Sequence, residues 1–451
     1  MSRLGVLIVG VNGAVSSTLI AGVELMIRGR VPRIGMGTEP TEAKISESIT
    51  GLLDLVPLEN LVFGGWDVRF PNVYEGALHH KVFPQEVLAE VRDKLEATTP
   101  WPAVFNRAYA QNVEGTHAVE VSSHRQELAL LRRNIQDFKR TRGVERLVMV
   151  NLASTEAYLE QGPVHASRAA FEAGLDRSDP AISPAMRYFY AAAELGIPYC
   201  NFTPSHTNIP ALSELAGRTQ TPYAGMDGKT GQTLVKTALA AMMRVRRLKI
   251  EGWYSTNVLG NNDGLVLDAP ESNKTKVLSK SSVLDSVVGY HVDNHQVHIH
   301  YYKPRGDSKE AWDNIDVVGF GGLPMQIKVN FLCQDSALAA PLVIDLVRLL
   351  DVAKRAGESG IQRQLSLFFK SPFHRPGEAP IHDLFKQEQL LLEWARERSV
   401  RPHSIHGDVA RTHGDLDVAK VEGGLAGSPL RVWPEVRASE GRRVDRNGSP
   451  E

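Results

Sequence analysis

The sequence predicts an α/β protein with a mostly parallel sheet and helices on both of its faces. Three observations lead there. GVLIVG (5–10) has the length and apolarity of one buried strand; a turn at Gly10 and Gly13 and a stretch of helical composition from Ala14 to Arg28 follow it. Strand-like and helix-like stretches then alternate through the first half of the chain. With 451 residues, 42% hydrophobic and 23% charged, the chain has the composition and size to bury a large core in two or three domains. A formal net charge of -1 argues against a nucleic-acid surface. Two cysteines, Cys200 and Cys333, exclude a disulfide framework and a cysteine-based zinc site, which makes the cytoplasm the default location. The apolar start runs straight into a glycine turn, unlike a signal peptide, and no apolar run approaches a membrane span.

Taken in order, strand, glycine turn and helix at 5–28 form the start of a dinucleotide site, where a bare helix N-terminus accepts a pyrophosphate. GVNGAVSS lacks the third glycine of the full fingerprint, so an ordinary strand–turn–helix stands equally beside that reading. VPRIGMGTE predicts a second strand, and by spacing Glu39 is the acid that would hold an adenosine ribose. NLVFGGWDV (60–68) is a further strand. Residues 85–96 and 125–140 read as amphipathic helices. ERLVMVNLASTE (145–156) is a strand entering a small polar turn, 183–195 a helix, and GIPYCNFTPS strand and turn again.

DGKTGQTLVKTALAAMMRVRR (227–247) opens a long helix. Its free N–H groups, threonine hydroxyls and a lysine would suit a phosphate; a plain threonine N-cap explains the same residues as well. HQVHIHYYKP (295–304) alternates like a half-exposed strand with His298 and His300 on one face, an arrangement more often structural than metal-binding. MQIKVNFLC (325–333) is a strand. Ser336 is expected to cap a helix at 337–355, with Pro341 in its first turn. Residues 383–398 form a last amphipathic helix, and the polar stretch beyond about residue 400 reads as a mobile tail.

The chemistry gathers in NVLGNNDGLVLDAPESNKTKVLSKSSVLD (257–285). Asn257, Asn261, Asn262, Asp263 and Gly264 carry turn chemistry, and Lys274, Lys276 and Lys280 follow. A solvated lysine face is the bland reading; cations aimed at an anion or a developing negative charge are the sharp one.

Together, GNNDG (260–264), SKSSVLD (279–285), KPRGDSK (303–309) and QDSALAAPLVIDL (334–346) resemble the myo-inositol-1-phosphate synthase family, also called inositol-3-phosphate synthases. GWD (65–67), NFTPS (201–205) and DGKTGQT (227–233) support the resemblance, which runs to about residue 395. It implies an NAD-binding Rossmann domain interrupted by an α/β catalytic and tetramerisation domain: 1–233 Rossmann, 234–336 inserted, 337–400 returning to the Rossmann unit, 401–451 tail. It implies a homotetramer that isomerises D-glucose 6-phosphate to 1L-myo-inositol 1-phosphate. The steps are oxidation at carbon 5, enolisation, intramolecular aldol closure and reduction, with NAD regenerated.

By the same resemblance Lys276, Lys280, Lys309 and Lys370 are catalytic lysines, and Asp227, Asn257, Asp263, Asp307 and Asp335 orient them and the substrate. Lys276 and Lys309 are the candidates for proton transfer and oxyanion stabilisation, Lys280 and Lys370 for the aldehyde oxygen or phosphate. Thr230, Gly231, Gln232 and Thr233 would take the substrate phosphate. Gly10, Asn12, Gly13, Ala14, Val15, Ser16, Ser17, Asp67, Leu152, Ala153, Ser154, Thr155, Phe202, Thr203, Asn261 and Asn262 would hold NAD, so the resemblance prefers Asp67 to Glu39 as the ribose acid. Many members carry GGNNGS where this chain has NGAVSS (12–17), which bears on cofactor affinity and the choice between NAD and NADP. A monovalent or divalent cation accompanies the reaction in the family, and no cage for one is readable here. The competing expectations are a member acting on another sugar phosphate, an NAD-dependent sugar-phosphate dehydrogenase, and an NAD-binding scaffold without activity.

Overall fold

β1 (Leu4–Val9) is buried along its whole length and pairs in parallel with a strand on each side, which is why its sequence is apolar without alternation. The computed structural model describes residues 3–40, 49–111, 113, 115–260, 264 and 283–399. All of these lie in one compact unit, Met1–Arg401. The expected tail at 401–451 lies outside the described residues.

The neighbours of β1 are β2 (Leu61–Asp67) and, on the other side, β4 (Arg146–Asn151). With β3 (Trp101–Pro102), β5 (Tyr199–Asn201), β6 (Pro222–Gly225) and β11 (Gly360–Ile361) they form a parallel seven-stranded sheet in the order β11-β6-β5-β4-β1-β2-β3. The order reverses between β1 and β4, the place where doubly wound sheets leave a crevice beyond their C-terminal strand ends. Helices Ala14–Ile27 and Asp335–Arg355 pack on one face, and His124–Arg142 and Pro184–Glu194 on the other, each with its own apolar cluster. Gly65 is required in β2, because a Cβ there would meet the Ile8 carbonyl oxygen at 1.9 Å.

After β6 the helix Gly231–Val245 carries the chain out to a second sheet. β7 (Lys249–Leu259), β8 (Asn294–Tyr301), β9 (Ser308–Val318) and β10 (Pro324–Gln334) lie there in the order β10-β9-β7-β8, with only β7 and β8 parallel. One face buries Ile250, Trp253, Ile315 and Val317 against Ala240, Ala241 and Met243 of that helix. The other leaves Tyr254, Trp312 and Leu332 exposed. The Asp335–Arg355 helix then returns to the first sheet.

Three expectations need correction. No strand forms at 31–39. Pro32, Gly35, Gly37 and Pro40 break the run, and the amides of Gly37 and Thr38 donate to the Asp345 carboxylate at 2.8 and 3.0 Å instead of to a ladder. The 85–96 helix is two short ones, Gln85–Ala89 and Arg92–Glu96, because the backbone at Val91 (φ -120°, ψ 13°) leaves the helical region where its side chain turns into the core. The long helix begins at Asp335, so Pro341 falls in its second turn. Ser336 is not its cap: Ser336 N and Oγ donate to the Asp307 carboxylate at 3.1 and 2.8 Å.

Candidate active site

The turn after β1 is tied down by its own amides: Gly10 N and Val11 N donate to the Trp66 carbonyl at 2.8 and 3.1 Å and Gly13 N to the Gly10 carbonyl at 3.0 Å, so it is the uncapped start of the next helix that is offered to the cleft. Gly10 has φ +86°, and a Cβ there would come within 3.1 Å of the Ala153 backbone. Gly13 precedes the Ala14–Ile27 helix and offers no side-chain cap. Ser16 and Ser17 are buried and their hydroxyls donate to the Gly10 carbonyl at 2.6 Å and the Gly13 carbonyl at 2.9 Å. These two serines therefore pin the turn from behind. The cleft above is lined by Gly10, Asn12, Gly13, Asp67, Arg69, Leu152, Ala153 and Ser154. It continues past Gly13, His80 and residues 152–154 to Ala14, Val15, Thr155, Phe202 and Thr203.

Asp67 ends β2 at the rim of this cleft. Its two oxygens accept from Asn12 N at 2.8 Å and Arg69 N at 2.9 Å. Burial raises its carboxyl above the ordinary range, against the pull of those two amides. Glu39, the acid favoured by spacing, is elsewhere: it is buried with Oε1 2.6 Å from Arg348 Nη1. Without a strand at 31–39 nothing delivers it to the cleft. His80, which the sequence did not single out, donates from Nε2 to the Asn12 carbonyl at 3.0 Å, and burial holds its pKa down to about 4.

At the far end the same cleft meets Asp227, Gly228, Thr230, Asp335, Ser336 and Lys370. Residues 226–229 run between two other segments. Asp227 N donates to Thr203 O at 3.2 Å, Lys370 N to Asp227 O at 2.7 Å and Lys229 N to Phe368 O at 2.8 Å. Asp227 takes a left-handed conformation, φ +61°, and its Oδ1 receives Lys370 Nζ at 2.7 Å. Thr230 is at the N-cap of the 231–245 helix and makes no side-chain cap to it. Its hydroxyl donates to Asp335 Oδ1 at 3.1 Å, and Lys309 Nζ reaches both Asp335 oxygens at 3.4 Å. The helix start keeps its N–H groups free of a side-chain cap, which sets aside the plain threonine-cap reading.

Strand alternation explains the third group. Lys309, Ala311 and Asp313 share one face of β9, and Trp253, Ser255 and Asn257 the matching face of β7. Gln232 and Lys236, four apart on the 231–245 helix, project onto them. Asn257 Nδ2 donates to Gln232 Oε1, and Gln232 Nε2 donates to Asp313 Oδ2 at 3.1 Å. Gln232 is thus engaged below the helix start. Lys236 Nζ lies 3.1 Å from Ser255 Oγ and 2.7 Å from His295 Nε2, and burial lowers its pKa to about 8 against the pull of Asp313. Lys229 contacts Gln387 Oε1 and is lowered to about 7 by burial, with Asp383 opposing. The sequence expectation set Lys229 beside a phosphate-binding helix start, whereas its ammonium turns to Gln387; Lys236 was not singled out, although its place on the Gln232 face one turn on was an available signal.

The structure therefore brings together Asp227, Thr230, Asp335, Lys309 and Lys370, with Asn257 and Asp307 behind them. Gly231 and Thr233 stay buried at the helix start. Asn261, Asn262, Asp263, Lys274, Lys276 and Lys280 lie outside the described residues. His298 and His300 stack on the exposed face of the small sheet at 6.2 Å, and among the described residues no three His, Cys, Asp or Glu gather as metal ligands. A dinucleotide fits the cleft. The uncapped helix start faces a channel from the Asp67 carboxylate at one end to Lys370 at the other, and Asn12 Oδ1 is buried there with no partner among the described residues.

Comparison with known proteins gives the family. A family model described as myo-inositol-1-phosphate synthase matches residues 29–396. Inositol-3-phosphate synthase 1 of Bacteroides thetaiotaomicron is 44% identical over 87% of this chain and 95% of its own. Its namesake in Oryza sativa subsp. japonica is 30% identical, covering 86% and 84%. Among solved structures, inositol-3-phosphate synthase of Caenorhabditis elegans superposes with a TM-score of 0.84 at 26% identity, covering 88% of this chain and 86% of that one.

Proposed function

As the chain belongs to the myo-inositol-1-phosphate synthase family, it is an isomerase that converts glucose 6-phosphate to inositol phosphate with NAD, and we propose that the cleft described above is where it does so. NAD, when bound, supplies oxidation of the carbon-5 hydroxyl and the closing reduction. Gly10, Asn12, Gly13, Ala14, Val15, Asp67, residues 152–155, Phe202 and Thr203 would hold it, while Ser16 and Ser17 hold the turn. Asn261 and Asn262 join this set by motif.

The chemistry that remains moves protons and gathers negative charge on oxygen. Lys309, carried by β9 and steered by Asp335, takes the proton of the carbon-5 hydroxyl and stabilises the oxygen charge that grows at enolisation. Lys370, fixed by Asp227, holds the carbon-1 aldehyde oxygen during ring closure. The helix start at 230–233 receives the phosphate through its N–H groups. Lys276 and Lys280 share these tasks by motif alone, as does Asp263 in orienting them. The observation that carries the reading is the double use of Asp335, which accepts from Thr230 and Lys309 at once and so ties the phosphate end to the proton-transfer lysine.

Three further features belong to the proposal. The excursion from the first sheet at the 231–245 helix and the return by Asp335–Arg355 support an inserted domain at 234–336 between Rossmann parts 1–233 and 337–400. The exposed face of the small sheet, with Tyr254, Trp312 and Leu332, supports assembly into a homotetramer. Two cysteines without a disulfide support a cytoplasmic location; among the described residues no helix is long and apolar enough to cross a membrane. No ligand set for a cation is assigned.

The test is incubation with carbon-labelled glucose 6-phosphate and a catalytic amount of NAD, followed by NMR and NADH absorbance. Inositol phosphate without accumulating NADH is the expected result. Stoichiometric NADH would make the protein a dehydrogenase, and no conversion would point to another sugar phosphate.

A further inference from the structure

Asp313 is absent from the lining of the cleft, yet it ends a chain of amides whose middle member, Gln232, stands two residues along the helix from Thr230 of that lining. Its Oδ1 accepts from Trp253 Nε1 at 2.6 Å and Ser255 Oγ at 2.7 Å, and its Oδ2 accepts from Gln232 Nε2 at 3.1 Å. It is 4% exposed. A carboxylate that accepts from indole, hydroxyl and amide, opposite the buried Lys236, is an acceptor at both oxygens. That fixes the direction of every bond further along.

Gln232 has an amide with two unlike ends. The NH₂ end must face acceptors, and both of its partners are acceptors: Asp313 Oδ2 and the Trp312 carbonyl oxygen at 3.3 Å. Its oxygen therefore faces the other way, toward Asn257. An oxygen there demands a donor, so Asn257 turns its Nδ2 inward. What is left is Asn257 Oδ1, which is buried with no partner among the described residues; the residue is 1% exposed. A buried amide oxygen left without a partner is costly unless something else donates to it.

We propose that Asp313 is a positioning residue: through Gln232 it fixes the amide of Asn257 so that this residue presents an acceptor, and not a donor, to a hydroxyl of the bound sugar phosphate. The inference rests on the reading of the cleft as the sugar-phosphate site. It makes the site selective for a donor at that position. The same alternation along β9 that points Lys309 at Asp335 points Asp313, four residues on, at the base of the relay. Proton-transfer lysine and substrate-orienting amide are thereby set by one strand.

The relay has a polarity, and a polarity can be reversed. Asp313→Asn sets an NH₂ against the Gln232 NH₂, which the Trp312 carbonyl alone then still orients. Asn257→Asp puts an acceptor against the Gln232 oxygen. Each single variant opposes the intact remainder of the chain. In the double variant the charge has moved to the other end. The new amide at position 313 accepts from Trp253 and Ser255 and donates to a turned Gln232, which gives up its longer bond to the Trp312 carbonyl. The Gln232 NH₂ then meets the new carboxylate at position 257, and an acceptor still faces the substrate. The experiment compares all four proteins in unfolding midpoint, NAD affinity by calorimetry, and kcat and KM for glucose 6-phosphate. Each single variant is expected to lose roughly ten- to a hundredfold in kcat/KM, with NAD affinity unchanged. The double variant is expected to recover part of that loss and of the midpoint, the Trp312 carbonyl contact being forfeited. A double variant no better than the additive sum of the singles, in turnover and midpoint alike, overturns the relay. The midpoint cycle decides the relay even when the wild-type protein makes no inositol phosphate, an outcome that counts against the function reading alone.

Discussion

Lys370 and Asp227 are joined twice: Lys370 Nζ donates to Asp227 Oδ1 at 2.7 Å and Lys370 N donates to Asp227 O at 2.7 Å. Both residues are almost fully buried, at 4% and 3% exposure. The ammonium is therefore held at both its tip and its root, 143 residues from its partner in sequence.

A buried pair of this kind is expensive to halve. Lys370→Met takes the ammonium away from the buried Asp227 carboxylate, and we expect it to cost roughly 1–3 kcal/mol of unfolding free energy, measured by urea denaturation, together with loss of turnover. Adding Asp227→Asn removes the stranded charge. The double variant should regain part of the stability and none of the activity. Restored turnover in the double variant would remove Lys370 from the chemistry.

Lys309 is held more loosely, with 3.4 Å to each Asp335 oxygen. Lys309→Met should therefore cost less stability than Lys370→Met while lowering kcat by about a hundredfold or more, the scale of lost proton-transfer assistance. NAD affinity, read by calorimetry, should stay within about twofold because Lys309 is absent from the lining of the nucleotide end. A large change in NAD affinity would assign it to the cofactor instead.

Asp67 and Glu39 offer a direct contrast. Asp67→Ala removes a carboxylate at the rim and frees the amides of Asn12 and Arg69. It should weaken NAD binding by roughly tenfold or more. Glu39→Gln disturbs the contacts to Arg348 and Arg33 and should shift the unfolding midpoint without changing NAD affinity. An NAD affinity that follows Glu39 would restore the spacing argument.

That contrast also locates what the sequence could and could not convey. β1, its glycine turn and the following helix were legible because burial on both faces forces an unbroken apolar run. The helices at 124–142 and 184–194 were legible from period and caps. The ribose acid was not legible from spacing, because whether 31–39 forms a strand depends on Asp345, over three hundred residues away, taking the amides of Gly37 and Thr38. Asp227, Thr230, Lys309, Asp335 and Lys370 come from four separate stretches, and only the resemblance grouped them. Lys229 read as a phosphate-side cation and Lys236 did not stand out, since their burial is a property of the packed small sheet and the last helix.

Those two lysines make the last prediction, which concerns pH. Burial lowers Lys229 to about 7 and Lys236 to about 8 from an ordinary 10.5. The folded protein therefore binds fewer protons than the unfolded chain between the lowered values and 10.5. Stability must rise with pH across that window and be least favoured by these groups below about 7, where both stay charged in the interior. Lys229→Met removes one of the two contributions. Its urea midpoint, compared with wild type from pH 6 to 10, should gain most at the acid end and show a shallower rise toward the alkaline end. Parallel profiles for the two proteins would mean that Lys229 keeps its ordinary affinity for protons, solvated or better paired than its contacts with Gln387 and Asp383 imply.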